Sequence, residues 1–165
     1  MLHEMTIGGL AMDPSTNVPI LILNSVTEDF SIPIWIGILE AASIASVLQN
    51  ITFDRPMTHD LFKNFIEKVN IKISRIEVCD LKDNTFYAKI YCQSPDQEFI
   101  LDSRPSDAIA LALRVNASIY VDDKVIEIGK QVTLEANVNS LSGKILPYLG
   151  RLNYRTSYGQ NVLRH

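Results

Sequence analysis

Cysteine, histidine and tryptophan are scarce in this 165-residue sequence, at two, three and one. Two of the histidines, His3 and His165, lie close to the ends, so a histidine-built metal centre would need a fold that gathers the termini. There is no glycine-rich phosphate loop, no Gly-x-Gly-x-x-Gly run at Gly8-Gly9 and no Gly-x-Ser-x-Gly elbow. P-loop nucleotide hydrolysis, a dinucleotide fingerprint and the serine hydrolase elbow are thereby excluded. No apolar run reaches the roughly 18 residues of a membrane span. The start, Met1-Leu-His-Glu-Met, has neither a basic nor an apolar leader segment, so a cytoplasmic location is expected.

The two cysteines carry no metal-type spacing. They fall on two expected strands joined at Asp83-Asn84. A two-residue turn there sets Cys79 against Ala88 and Cys92 against Arg75, which predicts two separate thiols and no disulfide. Positive charge is also missing from most of the chain. Residues 130–165 hold Lys130, Lys144, Arg151, Arg155 and Arg164 against Glu135 alone, a balance of +4. With a total of −4, residues 1–129 carry −8. A body this acidic repels a phosphate backbone unless cations or a local basic patch intervene.

The residues that are present pattern clearly. "MLHEMTIGGLAM", "ILILNS" and "SIPIWIG" read as strands, with a bulge or bend at Gly8-Gly9. "ILEAASIASVLQN" reads as a small-residue helix with Ile38, Leu39, Ala42, Ala45 and Leu48 on one side. "THDLFKNFIEKVN" reads as an amphipathic helix capped by Thr58, with Leu61, Phe62, Phe65, Ile66 and Val69 as its apolar stripe. Three alternating strands follow, "IKISRIEVCD", "TFYAKIYCQ" and "EFILDS", then a helix capped by Ser106, the strand "SIYVD", and "VIEI" as a further short strand. The order β-β-β-α-α-β-β-β-α-β predicts an α+β fold on a mostly antiparallel sheet, with about three helices packed on it. This domain is expected over residues 1–129. Residues 130–165 read as a basic tail with a short helix near Leu141–Leu149, where Tyr148, Tyr154 and Tyr158 interleave with Arg151 and Arg155. Such a tail packs on the body or on a neighbouring subunit, or stacks on single-stranded nucleic acid.

Chemistry concentrates at two strand-to-helix junctions of similar make-up. Asp54-Arg55-Pro56 leads to Thr58-His59-Asp60, and Asp102-Ser-Arg104-Pro105 leads to Ser106-Asp107. Much of each is explained as a helix start: Pro105 holds Arg104 out of helix, Ser106 caps, and Asp107 complements the helix dipole, as Glu40 does for its own helix. Arg104 is not needed for a cap. It either locks a corner with an acid or holds a phosphate. If the two junctions converge, His59, Asp60, Asp102 and Asp107 are the candidate catalytic groups. Arg55, Arg104 and Ser106 are then the phosphate-binding groups. Asp102, Asp107 and Asp54 are the candidate ligands of a divalent cation, Mg²⁺, Mn²⁺ or Ca²⁺. No organic cofactor is expected.

"PIWIGILEAASIASVLQN", "RPMTHDLF" and "DSRPSDAIALALR" together resemble the bifunctional nuclease (BFN) domain family, over roughly Met1 to Ile128. The resemblance implies a compact α+β domain, often oligomeric, in a family whose plant members act on both DNA and RNA. Its motif positions here are Glu40, Arg55, Thr58, His59, Asp60, Asp102, Arg104, Ser106 and Asp107. Two functions follow as expectations. The first is a metal-assisted nuclease acting on DNA or RNA, with single-stranded nucleic acid as partner. The second is a non-catalytic homo-oligomeric module that binds a small anion or a protein.

Overall fold

The computed structural model describes residues 1–133 and 154–156. Its elements are β1 (Leu2–Met12), β2 (Pro19–Ser25), β3 (Ser31–Trp35), α1 (Ile38–Leu48), β4 (Ile51–Phe53), α2 (Thr58–Lys68), β5 (Lys72–Lys82), β6 (Thr85–Gln93), β7 (Glu98–Ser103), α3 (Pro105–Val115), β8 (Ser118–Asp122), α4 (Asp123–Thr133) and β9 (Tyr154–Thr156). The fold is α+β, as expected. Seven strands form one sheet in the order β3-β2-β1-β8-β5-β6-β7, and β4 pairs with β9 apart from it. Every pairing in the large sheet is antiparallel except β5 with β8, because α3 carries the chain back across the sheet between β7 and β8. Ile20, Leu21, Leu23, Ile32, Ile34, Ile44, Ile76, Val78, Ile109 and Val121 are its largest fully buried side chains.

Turn chemistry sets the registers. Asp83 and Asn84 both adopt positive φ, 48° and 57°, as a two-residue hairpin turn requires. Beside the turn, Lys82 pairs with Thr85 and Asp80 with Tyr87, as the expected register demands. Irregularities at Cys79 and Ser74 then each slip the pairing by one residue. Val78 rather than Cys79 faces Ala88, and Ile73 rather than Arg75 faces Cys92. Both thiols are free. The break at Gly8-Gly9 is also a bulge, with Gly9 at φ 142°.

The helices depart from the sequence reading in instructive ways. β4 is an added strand, and "VIEI" lies in α4, not in a strand. A short apolar run does not separate strand from helix; here the Asp122 carboxylate accepts from the Lys124 amide at 3.0 Å and turns the chain into a helix. On α1 the buried set is Ala41, Ala42, Ile44, Ala45 and Ser46, while Leu39 is exposed. On α2 only Ile66 of the expected stripe is buried; Leu61 and Phe65 face solvent. Thr58 and Ser106 are not caps, because the residues before the two helices are Met57 and, ahead of Pro105, Arg104. The helix expected near Leu141–Leu149, with Tyr148, Arg151 and Tyr158, lies outside the described residues.

Asp13 anchors the β3 end of the sheet. One of its oxygens accepts from the Ser15 amide and hydroxyl at 2.9 and 2.6 Å, and the other accepts from the Trp35 indole at 3.1 Å. The Ser15 hydroxyl first, and then Trp35, hold this carboxyl well below the usual carboxylate range. A depressed folded pKa contributes stability above the unfolded value of about 3.9, and that stability is lost as pH falls below it. Thermal melts between pH 7 and 3 are expected to show Tm falling below about pH 4, and Asp13→Asn is expected to fall less steeply over that interval.

Candidate functional site

Three helices converge where the two junctions meet. After β3, Gly37 leads into α1 with no side chain of its own, and the Glu40 carboxylate occupies the vacant space: a Cβ on Gly37 would collide with Glu40 Oε2. The first turn of α2 is closed by Asp60, whose Oδ2 accepts from the Met57 amide at 3.0 Å. Pro105 starts α3 with the φ that the helix needs and leaves Arg104 extended before it. Between these starts lies a cavity of about 320 Å³, walled by Leu39, Ala42, Phe53 and Met57 on its apolar side.

Its polar residues form a chain of contacts. Ser43 Oγ lies 2.9 Å from His59 Nδ1, and His59 Nε2 lies 3.0 Å from Asp107 Oδ1. Asp107 Oδ2 accepts from Arg104 Nε at 2.7 Å, and Arg104 Nη1 lies 3.0 Å from Glu40 Oε1. His59 is mostly buried, at 15% side-chain exposure, while Arg104 is 66% exposed at the mouth. Asp107 first, with Glu40 behind it, raises the Arg104 guanidinium above its ordinary pKa and keeps it charged. A hydroxyl, an imidazole and a carboxylate in hydrogen-bonded series can move a proton. The arginine next to them can hold an anion.

Arg114 supports this series from beneath. At 5% exposure it donates from Nε to Asp60 Oδ1 at 2.6 Å, from Nη1 to the carbonyl of Ala110 at 2.9 Å and from Nη2 to that of Ser43 at 3.3 Å. The Ser43 carbonyl also accepts from Ser46 Oγ at 2.8 Å. One guanidinium therefore fixes the residue after His59 on α2 and the residue on α1 that His59 touches.

Of the residues singled out from sequence, Glu40, Thr58, His59, Arg104 and Asp107 line this cavity. Asp60 is committed to Arg114. Ser106 is buried and borders a second hollow on the other side of Arg104. Asp54 and Arg55 are exposed in the β4–α2 connection and are not among the cavity's lining residues. Asp102 pairs opposite Lys89 on β7, on the face of the sheet away from Ala88 and Ile90 and hence away from the core. Asp54, Asp102 and Asp107 are thus not gathered, and among the described residues no three of His, Cys, Asp and Glu cluster as metal ligands. Each cavity carboxylate faces an arginine or the imidazole, so this donor set does not fit a shared cation. Ser43 and Arg114 were missed. Ser43 fell within a helix read only as rich in small residues, and Arg114 only closed the quoted stretch "DSRPSDAIALALR".

Over residues 21–133 the sequence matches the family described as Bifunctional nuclease domain. It is similar to the uncharacterized protein Rv1829 of Mycobacterium tuberculosis, 37% identical over 125 residues, which are 76% of this chain and 74% of that one. Shorter stretches are similar to ribonuclease Y of Staphylococcus epidermidis, 56% identical over 45 residues (27% of this chain, 9% of the relative). Ribonuclease Y of Listeria monocytogenes is 51% identical over 69 residues (42% and 13%).

Two substitutions test this construction. Gly37→Ala is expected to push Glu40 off Arg104 while leaving the unfolding free energy within about 1 kcal/mol of wild type, since the displaced group is a side chain end; a crystal structure or the Arg104 Nε NMR signal reads the change. Arg114→Met is expected to cost about 2 kcal/mol in denaturant unfolding, less than a fully buried pair because Asp60 is 33% exposed.

Proposed function

Because this chain belongs to the bifunctional nuclease domain family, we propose that the cavity between α1, α2 and α3 binds single-stranded nucleic acid at a phosphate and hydrolyses the phosphodiester there. The observation that carries the reading is Arg104, exposed at the mouth and adjoining the Ser43–His59–Asp107 series. Arg104 turns donors toward the phosphate and offsets the charge that builds on it. Ser43 Oγ orders a water and passes its proton to His59 Nδ1, while Asp107 holds the imidazole and stabilises the imidazolium. The water oxygen bonds to phosphorus, the ester bond breaks, and the leaving oxygen takes its proton from solvent at the open mouth.

A divalent cation, Mg²⁺, Mn²⁺ or Ca²⁺, enters this reading only as one carried in by the substrate phosphates, and no step runs through it. The ribonuclease name of the relatives matched over shorter stretches favours RNA as substrate, although the matched stretch is a small part of those enzymes. The same reading takes the protein to be a cytoplasmic homo-oligomer. The apolar side chains exposed along α2, Leu61 and Phe65 among them, support association.

One observation favours a second reading, a non-catalytic anion-binding module. Arg104 and Arg114 face Glu40, Asp60 and Asp107, a formal balance of −1 among these five, so an incoming anion meets arginines already countered by the site's own carboxylates.

Cleavage of unstructured RNA and DNA is measured with each cation and with chelator. Under nuclease chemistry, Arg104→Ala abolishes turnover at unchanged Tm, Ser43→Ala lowers kcat about 10²-fold and His59→Ala at least as far. Turnover that survives Arg104→Ala sinks the assignment. Thermal stabilisation by nucleotides with no turnover supports the binding module instead.

A further inference from the structure

Arg104 borders two hollows, not one. The second, of about 420 Å³, lies between the β3–α1 connection, the β5–β6 turn and the start of α3, and is lined by Trp35, Phe86, Asn84, Thr85, Val18 and Ser106. The curl of the sheet brings this about: residues from its β3 edge and from the β5–β6 hairpin line the same space. We infer that this second hollow is a nucleoside subsite, so that the substrate is an unpaired strand seated with one nucleoside on each side of Arg104. The inference rests on the phosphate reading of Arg104 given above.

The geometry and chemistry agree. A phosphate is the link between two nucleosides, and Arg104 is the residue shared by the two hollows. Its Nε and Nη1 face Asp107 and Glu40, and a guanidinium carries five N–H donors, so donors are left for a phosphate. Both volumes fall at the lower end of the ~300–1,000 Å³ usual for small-molecule clefts, the size for a single base and sugar. Trp35 and Phe86 offer aromatic faces, which stack on any base, and the Trp35 ring is fixed by the bond from its indole N–H to Asp13 at 3.1 Å. The first hollow offers Phe53, Leu39 and Met57 to the other nucleoside. Consecutive bases sent to opposite sides of one arginine are unstacked from each other. A single strand permits this at low cost and a duplex does not. Only Asn84 and Thr85 offer side-chain polar groups from the hairpin turn, so base preference is weak.

Trp35 is the sequence's one tryptophan, which makes its fluorescence a specific probe of the second hollow. The protein is titrated with a phosphorothioate-linked dithymidine, with inorganic phosphate and with a short DNA duplex, following Trp35 emission, with total binding measured by calorimetry. Saturable quenching by the dinucleotide is expected, with no change on adding phosphate or duplex. Phe86→Leu, which keeps apolar bulk against the core, is expected to weaken dinucleotide affinity about tenfold. Dinucleotide binding that leaves Trp35 silent and ignores Phe86→Leu overturns the subsite, as does the absence of dinucleotide binding. Quenching with no turnover of any substrate upholds the subsite and removes the hydrolytic reading, so the two fail separately.

Discussion

A single buried cation holds the three helices of the site together. Arg114 lies on α3 and donates to the Asp60 carboxylate on α2 and to the Ser43 carbonyl on α1. A guanidinium suits this because its donors lie in one rigid plane and can serve several acceptors at fixed angles. Lysine would offer one compact charge and no such fork. The positions of His59 and Ser43 relative to each other follow from contacts one residue away from the imidazole and on the far side of the serine. The geometry of the cavity is thus set by backbone and carboxylate anchors, with the exposed Arg104 as the outermost member.

Charge is used sparingly at the site. An acidic body and a cavity with more carboxylates than arginines do not gather polyanions from a distance. On the proposed reading, attraction comes at close range, where a phosphate competes with Glu40 and Asp107 for the charge of Arg104. Such competition favours a ligand that offers something besides charge. On the same reading, the apolar and aromatic walls on either side of Arg104 supply that further contribution, which makes shape and stacking, not net potential, the source of selectivity.

Sequence pattern gave the α+β class, the strand order in the chain and the two Arg-Pro junctions, because period-two alternation and proline stops are local signals. It also named Glu40, His59, Arg104 and Asp107, which do meet. It could not separate them from Asp102, which shares a motif with Arg104 yet points through the sheet, since strand parity is fixed by the register of β6 and β7. Ser43 and Arg114 were hidden for a different reason. Each fits its own helix without further explanation, and their significance is long-range, across 16 residues to His59 and 54 to Asp60. The outward α2 stripe was misjudged because amphipathicity tells which face is apolar and not whether anything in the same chain covers it.

The two irregularities in β5 bear on how this family's strands can change length. Ser74 and Cys79 each occupy a position where two residues of β5 stand against one of β6. Core-facing positions run Ile73, Ile76 and Val78, and Leu81 shares their face opposite Phe86, so the intervals of three fall at these bulges. Loss of Ser74 or Cys79 would restore an interval of two and keep every inward side chain inward. Loss of Glu77, between Ile76 and Val78, would turn one half of the strand inside out. Single-residue deletions among related chains should therefore collect at the two bulges, where the sheet already carries a spare residue.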